Sequence, residues 1–529
     1  MATKIIFYLL FVLDLALTAL LGWSLWQTHL VPSTAALIAV GALALILLLL
    51  FLLQREGKGK KKKSKTGFRI AAIVILLFLG LVEGAVSYYV MHYQKSVSKI
   101  TDVHTQVTQV EVYVRKADEV DSVEEAVERQ FRFGVIAGAD EEAVAQTRSE
   151  IEEKCGQSLD MESYPNLLEL VKAISEEKVD ALILSSAFYE LIDSLEGYES
   201  VKDALKPVHT SNVETEIVQE TLQDTFQESL QESTPGTFSE GTGSVQPMKD
   251  PDLWEHSFCA YVSGIDTFGP ITARSRSDVN ILAIVNTSTK TVLLVSTPRD
   301  YYVPFNFAPV NGAMDKLTHA GIYGIDASMK ALSDLYGLPI HYYVRVNFSG
   351  FINVIDTLGG VDVESDADFG NTKYSYHKGM NHLGGEAALR FVRDRYSFAD
   401  GDRARSRHQM AVIKGVINGL RSSKIITNYA SLMEDMEGCF QTNASMAMIG
   451  DLVQLTLDPS TSDWKVLTYN VDGNGRLDEA YSLGMKAYCM HPNMKTVEYA
   501  QSLVAKVLAG EPLTQEELQK NAPSPRGDK

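Results

Sequence analysis

Cysteine is scarce in this chain of 529 residues, which has only four, at positions 155, 259, 439 and 489. No two of them have the CxxC spacing that is typical of zinc sites and dithiol redox centres. The sequence therefore indicates neither a zinc module nor a catalytic thiol. Cys259 stands in an apolar run with strand character, so we expect it to be buried.

An excess of positive charge is also missing, since 48 Lys and Arg face 67 Asp and Glu and the formal net charge is -19. Residues 1–70 carry nine basic and two acidic side chains, hence +7, which leaves -26 for the remainder. So acidic a remainder is poorly suited to nonspecific nucleic-acid binding. The segment GVIAGAD has neither the GxGxxG nor the GKS/T pattern of nucleotide-binding loops, so we interpret it as structural.

Long hydrophobic runs, by contrast, are present at residues 5–26, 33–53 and 70–91. Each has about the 20 residues that a helix needs to cross a bilayer. Eight Lys and Arg stand in the short connection between the second and third runs, within residues 54–69. Positively charged loops stay in the cytoplasm, so we predict a multi-pass cell-membrane protein with a cytoplasmic N-terminus and a large extracellular C-terminal part.

After the membrane region, residues 93–210 show short strand-like runs that alternate with helical patterns. We predict a small α/β domain here, with strands near 131–137, 158–164 and 179–184, and call it the accessory domain. Residues 211–252 are acidic and rich in Ser, Thr, Gly and Gln, which is typical of a linker. Strand and helix patterns then alternate again from Trp254, which predicts a second, layered α/β/α domain.

Two clusters of arginine and aspartate interrupt the acidic background of this second domain. The first brackets two apolar strand-like runs, and the second follows about a hundred residues later; their members are Asp266, Arg274, Arg276, Asp278, Arg299 and Asp300, then Arg390, Arg393, Arg395, Asp402, Arg405 and Arg407. Charged residues at strand ends are delivered to one rim of a sheet. Guanidinium groups suit bidentate phosphate binding, so the clusters predict one polyphosphate site.

The same segments carry a resemblance to a known family, the LytR-CpsA-Psr proteins of Gram-positive cell envelopes. The matching pieces are GIDTFGP, TARSRSDVNILAIVNTSTKTVLLVSTPRDYYV, KLTHAGIYG, VNFSGFINVIDTLGGVDV, and the block from GGEAALRFVRDR to DGDRARSRHQ. Several ordered pieces over residues 257–420 are far more specific than one short motif. The resemblance implies a central mixed sheet with helices on both sides and a deep apolar pocket for a polyprenyl chain.

The resemblance also assigns roles to individual residues. Asp266 and Asp278 match two positions that bind Mg²⁺ (or Mn²⁺), and hard oxygen ligands suit that ion. The expected catalytic residues are Arg276, Arg299, Arg393, Arg395, Asp402 and Arg405. The five arginines of this set, together with Arg407 and Gln409, are the expected pyrophosphate ligands. Asp278 and Asp402 are both open as general base. For Arg274, Asp300, Arg390, Asp394 and Arg403, surface ion pairs are at least as good an explanation, and we predict His408 on a helix surface.

By resemblance, the protein is a phosphotransferase that moves a glycopolymer from undecaprenyl pyrophosphate to peptidoglycan, and its three helices and accessory domain resemble the capsular-polysaccharide branch. Contact with capsule export machinery is a further expectation. Two alternatives stay open: a hydrolase of the lipid pyrophosphate, and a non-enzymatic membrane regulator or scaffold.

The predicted domain bounds complete this interpretation. They are 1–92 for the membrane region, 93–210 for the accessory domain, 211–252 for the linker, 253–425 for the catalytic domain, 426–510 for its C-terminal part and 511–529 for a disordered tail. Cys439 and Cys489 both follow the matched core, so a disulfide between them is expected in the oxidising exterior.

Overall fold

A computed structural model describes residues 2–29, 33–54, 66–101, 105–216, 257–265, 267, 270–395, 397–398, 401–420, 432, 434–457 and 464–523. For Ala2, Thr66, Glu216, Asp402 and Leu457 it describes only the backbone. The chain divides into two compact units, which we treat separately. The first contains residues 1–102, 421–437 and 444–463, and the second contains the rest.

Three long apolar helices dominate the first unit: Ala2–Thr28, Ser33–Gln54 and Thr66–Thr101. Each is long and apolar enough to cross a membrane, which agrees with the three predicted spans. The third helix ends ten residues beyond its predicted apolar run, at Thr101.

A fourth helix, Met446–Leu457, belongs to the same unit. Its Asp451 Oδ1 lies 2.9 Å from His29 Nδ1, just after the first long helix. A side chain at Gly450 would meet the Thr28 carbonyl oxygen at 2.7 Å, so the two backbones are in close contact here. The segment predicted as the C-terminal part of the catalytic domain is therefore divided between the two units.

The accessory domain forms the first sheet of the second unit. Its strands are β1 Thr105–Arg115, β2 Arg132–Ile136, β3 Asp160–Tyr164, β4 Ala181–Ser185 and β5 Leu205–Glu216, in the order β3-β2-β4-β1-β5. Strand β2 is parallel to β3 and β4, whereas β1 is antiparallel to β4 and β5. The helices are Val123–Glu128, Glu141–Cys155, Leu167–Ser175, Ser186–Tyr189 and Glu199–Ala204, with 3₁₀ turns at Lys116–Asp118 and Glu190–Ser194.

The second sheet is the core of what we call the C-terminal α/β domain. Its order is β16-β11-β6-β7-β8-β17, with strands β6 Ser257–Ile265, β7 Ser277–Asn286, β8 Thr291–Thr297, β11 Tyr342–Val346, β16 Phe440–Thr442 and β17 Lys465–Asn470. The sheet is mixed, because β6–β11 and β8–β17 are parallel pairs and the remaining pairs are antiparallel. Short strands β9 Tyr302–Pro304, β10 Met314–Lys316, β12 Val361–Ser365, β13 Phe369–Gly370, β14 Ser375–Tyr376, β15 Gly379–Leu383, β18 Gly473–Ala480 and β19 Met485–Pro492 form hairpin-like pairs around it.

Helices cover both faces of this sheet because successive strand residues point to opposite sides. Leu293 and Val295 of β8 join a core with helices Leu317–Tyr323, Ile325–Tyr336, Met494–Leu508 and Gln515–Lys520. Val292 and Leu294 face the other way and pack with Met410 of helix Asp402–Gly419. Helices Phe348–Thr357 and Gly385–Arg393 complete the described helices of the domain. The predicted α/β/α layering is thus confirmed.

The accessory and C-terminal α/β domains share one hydrophobic core. Ile322, Ala480 and Leu483 of the latter pack among the accessory-domain residues Leu167, Phe188 and their neighbours. The Leu168 amide donates to the Leu483 carbonyl at 3.1 Å. The two domains are therefore packed directly against each other within one unit, on either side of the sequence segment that we predicted as a linker.

Several sequence predictions need correction. Strand β5 runs to Glu216, into the predicted linker, while residues 217–256 lie outside the described residues. Residues Gln515–Lys520 form a helix where we expected disorder, because Thr514 and Glu517 make a capping box. Cys439 and Cys489 do not form the expected disulfide in the structure. Cys259 is 1% exposed, as predicted.

Candidate functional site

A cavity of about 480 Å³ opens at one rim of the mixed sheet. The carboxyl ends of β6 and β11, the segment after β8 and the start of the antiparallel β7 all meet at this rim, and they contribute Gly264, Asn347, Arg299 and Asp278. The cavity volume falls within the roughly 300–1,000 Å³ that is typical of small-molecule sites.

Much of the cavity wall is apolar. Nine hydrophobic side chains line it: Val262, Ile265, Val279, Val346, Phe348, Phe351, Leu389, Val392 and Ile413. A surface of this kind favours a hydrocarbon chain over water.

Charged and polar groups share the same cavity. They are Arg276, Asp278, Arg299, Asn347, Arg393, Arg395, Arg405 and Gln409. The structure therefore brings arginines from both clusters, about a hundred residues apart in sequence, to one site.

Helix Asp402–Gly419 shows how polar and apolar lining are combined. Arg405, Gln409 and Ile413 all line the cavity. Residues four apart lie on one face of a helix, so this face changes from cationic to apolar along its length. Arg393, at the end of helix Gly385–Arg393, stacks its guanidinium 4.6 Å from the ring centre of Phe348.

Asp278 is the acidic centre of the site. Its Oδ2 accepts a hydrogen bond from Arg299 Nη1 at 2.8 Å, and its Oδ1 accepts one from the Thr318 hydroxyl at 3.1 Å. Burial raises the pKa of Asp278, but Arg299, Arg405 and Arg276 together outweigh burial and hold that pKa below its usual range. Asp278 is thus an ionised carboxylate with both oxygens oriented.

Thr318 was given no role in the sequence analysis, although it lies in the matching piece KLTHAGIYG. Its amide donates to the Arg299 carbonyl at 2.8 Å, so the first turn of helix Leu317–Tyr323 contacts both Arg299 and Asp278. Below it, His319 Nδ1 lies 2.7 Å from Asp315 Oδ1 and Asp315 Oδ2 accepts from the Ser482 amide at 2.8 Å. This buried network anchors the helix that carries Thr318.

The remaining predicted site residues are placed differently. Arg407 donates from Nε to Asp366 Oδ2 at 3.1 Å instead of lining the cavity, so its pyrophosphate role stays a prediction. Asp266 lies outside the described residues, and for Asp402 the structure describes only the backbone, at the first residue of its helix.

Two groups that we expected on the surface are buried in part or whole. His408 is 2% exposed and lies among Phe369, Phe391 and Phe398, so its prediction as a surface residue is wrong. Arg274 pairs at 2.8 Å with Asp140, whose side chain is 3% exposed. Charge alone did not reveal these environments, because burial is set by tertiary contacts.

Arginines around an ionised carboxylate, in a cavity with many apolar lining residues, suit an amphiphile with an anionic head group. The family model "LytR_cpsA_psr family" matches residues 246–499, which contain this whole cavity. The protein belongs to this LytR-CpsA-Psr family, as its motifs indicated.

Two named relatives, each at least 30% identical to this chain, support the same membership. A polyisoprenyl-teichoic acid–peptidoglycan teichoic acid transferase TagU of Bacillus cereus is 33% identical over 215 residues, which cover 40% of this chain and 67% of TagU. The protein of the same name from Enterococcus faecalis is 30% identical over 227 residues, which cover 42% of this chain and 73% of the relative. The crystal structure of Bacillus subtilis TagU matches at 25% identity and a TM-score of 0.38, covering 49% of this chain and 100% of that one.

Proposed function

We propose that this protein is a membrane-anchored phosphotransferase that moves a glycopolymer from a polyprenyl pyrophosphate carrier to a hydroxyl group of peptidoglycan. The observation that carries the proposal is the cavity itself, whose hydrophobic walls suit a prenyl chain while its arginines suit a pyrophosphate. Two relatives at 30–33% identity are named as transferases, which supports the reaction class.

The reaction balances as a substitution at the phosphorus next to the sugar. The acceptor oxygen forms a bond to that phosphorus, the bond from phosphorus to the bridging oxygen breaks, and prenyl phosphate leaves. The acceptor's proton passes to a base. Negative charge grows on the leaving phosphate, and Arg276, Arg299, Arg393, Arg395 and Arg405 are the cavity's groups for stabilising it.

Asp278 is better suited to binding a cation than to accepting a proton. A carboxylate whose pKa lies below its usual range is a weak base, and Arg299 and Thr318 already orient both of its oxygens. Asp278 and Asp402 were the two carboxylates that the sequence analysis left open as general base. Asp402 is therefore the remaining candidate.

An ionised oxygen donor such as Asp278 fits a hard divalent ion. We propose Mg²⁺ or Mn²⁺, held by Asp278 together with Asp266. When bound, such an ion would neutralise charge on the pyrophosphate oxygens. The expected consequence is that EDTA abolishes transfer and added Mg²⁺ restores it.

We further propose capsular polysaccharide as the polymer and undecaprenyl as the carrier. The three apolar helices and the accessory domain support this choice, because they resemble the capsule-type branch of the family. Teichoic acid, which the names of the relatives specify, is the competing polymer. The basic segment between the second and third helices supports a cytoplasmic N-terminus and an extracellular C-terminal part.

The test uses the full chain in detergent, with an undecaprenyl-pyrophosphate-linked oligosaccharide, peptidoglycan fragments and Mg²⁺. Mass spectrometry follows the sugar-phosphate conjugate of peptidoglycan. Conjugate that requires the acceptor supports the transferase. Carrier cleavage without conjugate supports the hydrolase instead, and donor binding without any turnover supports a scaffold.

A further inference from the structure

The segment 270–276 connects β6 to β7 and brings Arg276 to the cavity. Its described backbone is neither helix nor regular strand, so it has no ladder of its own to hold it. Arg276 nevertheless has to stand in one place to contact a pyrophosphate. The contacts that hold this segment therefore affect the position of Arg276 in the site.

One support comes from the accessory domain. Strand β4 pairs with β1 only over Val110–Val114, which leaves the edge of β1 open nearer its start. The segment occupies that edge: the Val107 amide donates to the Thr272 carbonyl at 2.9 Å, and the Arg274 amide donates to the Val107 carbonyl at 3.2 Å. The accessory sheet is thus extended by the segment that leads to Arg276.

A second support is an ion pair across the same contact. Arg274 Nη1 lies 2.8 Å from Asp140 Oδ1, with side-chain exposures of 16% and 3%. Asp140 follows β2 and precedes helix Glu141–Cys155, where it adopts a left-handed φ of 49°. A pair so poorly exposed is screened little by salt, and removal of either partner leaves the other charge buried.

The C-terminal α/β domain holds the segment from the opposite side. Arg345 of β11 is 2% exposed and donates to the carbonyls of Ile271 at 3.0 Å and Ala273 at 2.8 Å. A side chain at Gly321 would meet the Ser275 carbonyl oxygen at 2.4 Å, so helix Leu317–Tyr323 lies directly against the segment. Only a glycine permits this approach.

From these contacts we infer that the accessory domain is a positioning element for the active site, with Asp140 and the edge of β1 fixing the segment that presents Arg276 to the pyrophosphate. Asp140 acts through Arg274 and the backbone, so it is a positioning residue. The inference deepens the proposed function and rests on it for its activity readout.

A separate ligand-binding role for the accessory domain has less support. Parallel α/β sheets bind ligands beyond the carboxyl ends of their strands. In the accessory domain the crevice at this position measures about 10 Å³, and Pro309, Tyr323 and Tyr481 of the C-terminal α/β domain contribute to its walls. That volume is at the lower limit for a single water molecule. The crevice is part of the contact between the two domains, and it is too small for a substrate.

The test compares Asp140→Asn with the wild type in the full chain. Asparagine tolerates a left-handed φ, so this variant removes the charge while keeping the turn. We expect kcat to fall about tenfold with a smaller change in KM. Arg276→Ala should lower kcat about a hundredfold in the wild type but only about tenfold in the Asp140→Asn background. The reason is that an arginine that is already poorly positioned contributes less to the rate. Arg274→Gln should show the same coupling.

Asp180→Asn is the matched control, since Asp180 pairs with Arg132 at 2.9 Å and with Arg115 at 3.6 Å, both inside the accessory domain. Its effect should add to that of Arg276→Ala without coupling. Hydrogen exchange gives an independent readout: amides 272–277 should exchange faster in Asp140→Asn and unchanged in Asp180→Asn. Additive effects or unchanged exchange in Asp140→Asn would overturn the inference. If the wild type transfers nothing, the proposed function fails and exchange alone decides the positioning role.

Discussion

In each of the two α/β sheets of the second unit, a buried strand ends in a polar turn. The volume of the space beyond that turn differs between the two sheets. In the C-terminal α/β domain, β8 leads to Arg299 at a cavity of about 480 Å³. In the accessory domain, β2 leads to Ala137 and Ala139 at a crevice of about 10 Å³, just before Asp140. One strand end is open to a ligand, and the other is closed by a neighbouring domain.

The comparison shows that strand-end geometry offers a site but does not determine its use. Both ends place an aspartate opposite an arginine at 2.8 Å, Asp278 with Arg299 and Asp140 with Arg274. Asp278 has further arginines close enough to lower its pKa, and its neighbours line a cavity. Asp140 has Arg274, and burial raises its pKa despite that partner. Surplus positive charge thus distinguishes the candidate site around Asp278 from the structural contact at Asp140.

The largest effect should come from Arg299→Ala at the open strand end. Removing Arg299 deletes one of the proposed pyrophosphate-binding groups and the partner of Asp278 Oδ2. We expect the rate of conjugate formation to fall by about 10²–10³, as for other charge-stabilising donors. Mass spectrometry of the peptidoglycan conjugate measures this rate.

Arg476→Ala is the control for Arg299→Ala, because Arg476 is 64% exposed and pairs with Asp478 on the β18–β19 hairpin. Its loss should leave the rate within about twofold. Equal rates for both variants would contradict the open-site interpretation.

A smaller effect is expected for Thr318→Val, which removes one hydrogen bond to Asp278 without changing the side-chain shape. A hydrogen bond to a charged group is worth about 1.5–3 kcal/mol, so the rate should fall roughly tenfold or more. Thr318→Ser keeps the hydroxyl and should retain most activity. A valine variant as active as the serine variant would remove Thr318 from the site.

Arg407→Ala should have less effect still. Its side chain is 39% exposed and pairs with Asp366, and exposed pairs contribute about 0–1 kcal/mol. Donor KM should therefore change by less than about fivefold. A KM increase comparable to the loss in Arg299→Ala would instead restore the pyrophosphate role that the family resemblance assigns to Arg407.

The smallest expected change concerns stability at low pH. Burial lowers the pKa of His408 below its unfolded value of about 6.5, with Asp366 opposing and Arg407 reinforcing the shift. The unfolded chain therefore binds more protons, so the folded protein loses stability as pH falls below about 6.5. In His408→Phe, Tm should drop about 2 °C less than in the wild type between pH 7.5 and pH 5. An identical pH dependence would contradict this.

Much of the architecture could be predicted from local patterns. Apolar runs of about 20 residues predicted the three long helices, because a bilayer-spanning segment has to be hydrophobic along its whole length. Alternating strand and helix patterns predicted both α/β domains. The helix Gln515–Lys520 was missed, since a six-residue helix with one buried leucine has little periodicity to detect.

For the site, the sequence by itself determined which chemical groups are available: two clusters of arginine and aspartate, a combination that favours an anion site. Only the tertiary structure decided which charges meet. The fold brings five arginines to one cavity: Arg276, Arg299, Arg393, Arg395 and Arg405. It places Arg407 beside Asp366 instead. It also pairs Arg274 with Asp140, which is more than a hundred residues away in the sequence. The physical reason is that residue type sets what a side chain can bind, whereas long-range packing sets its neighbours and its exposure to water.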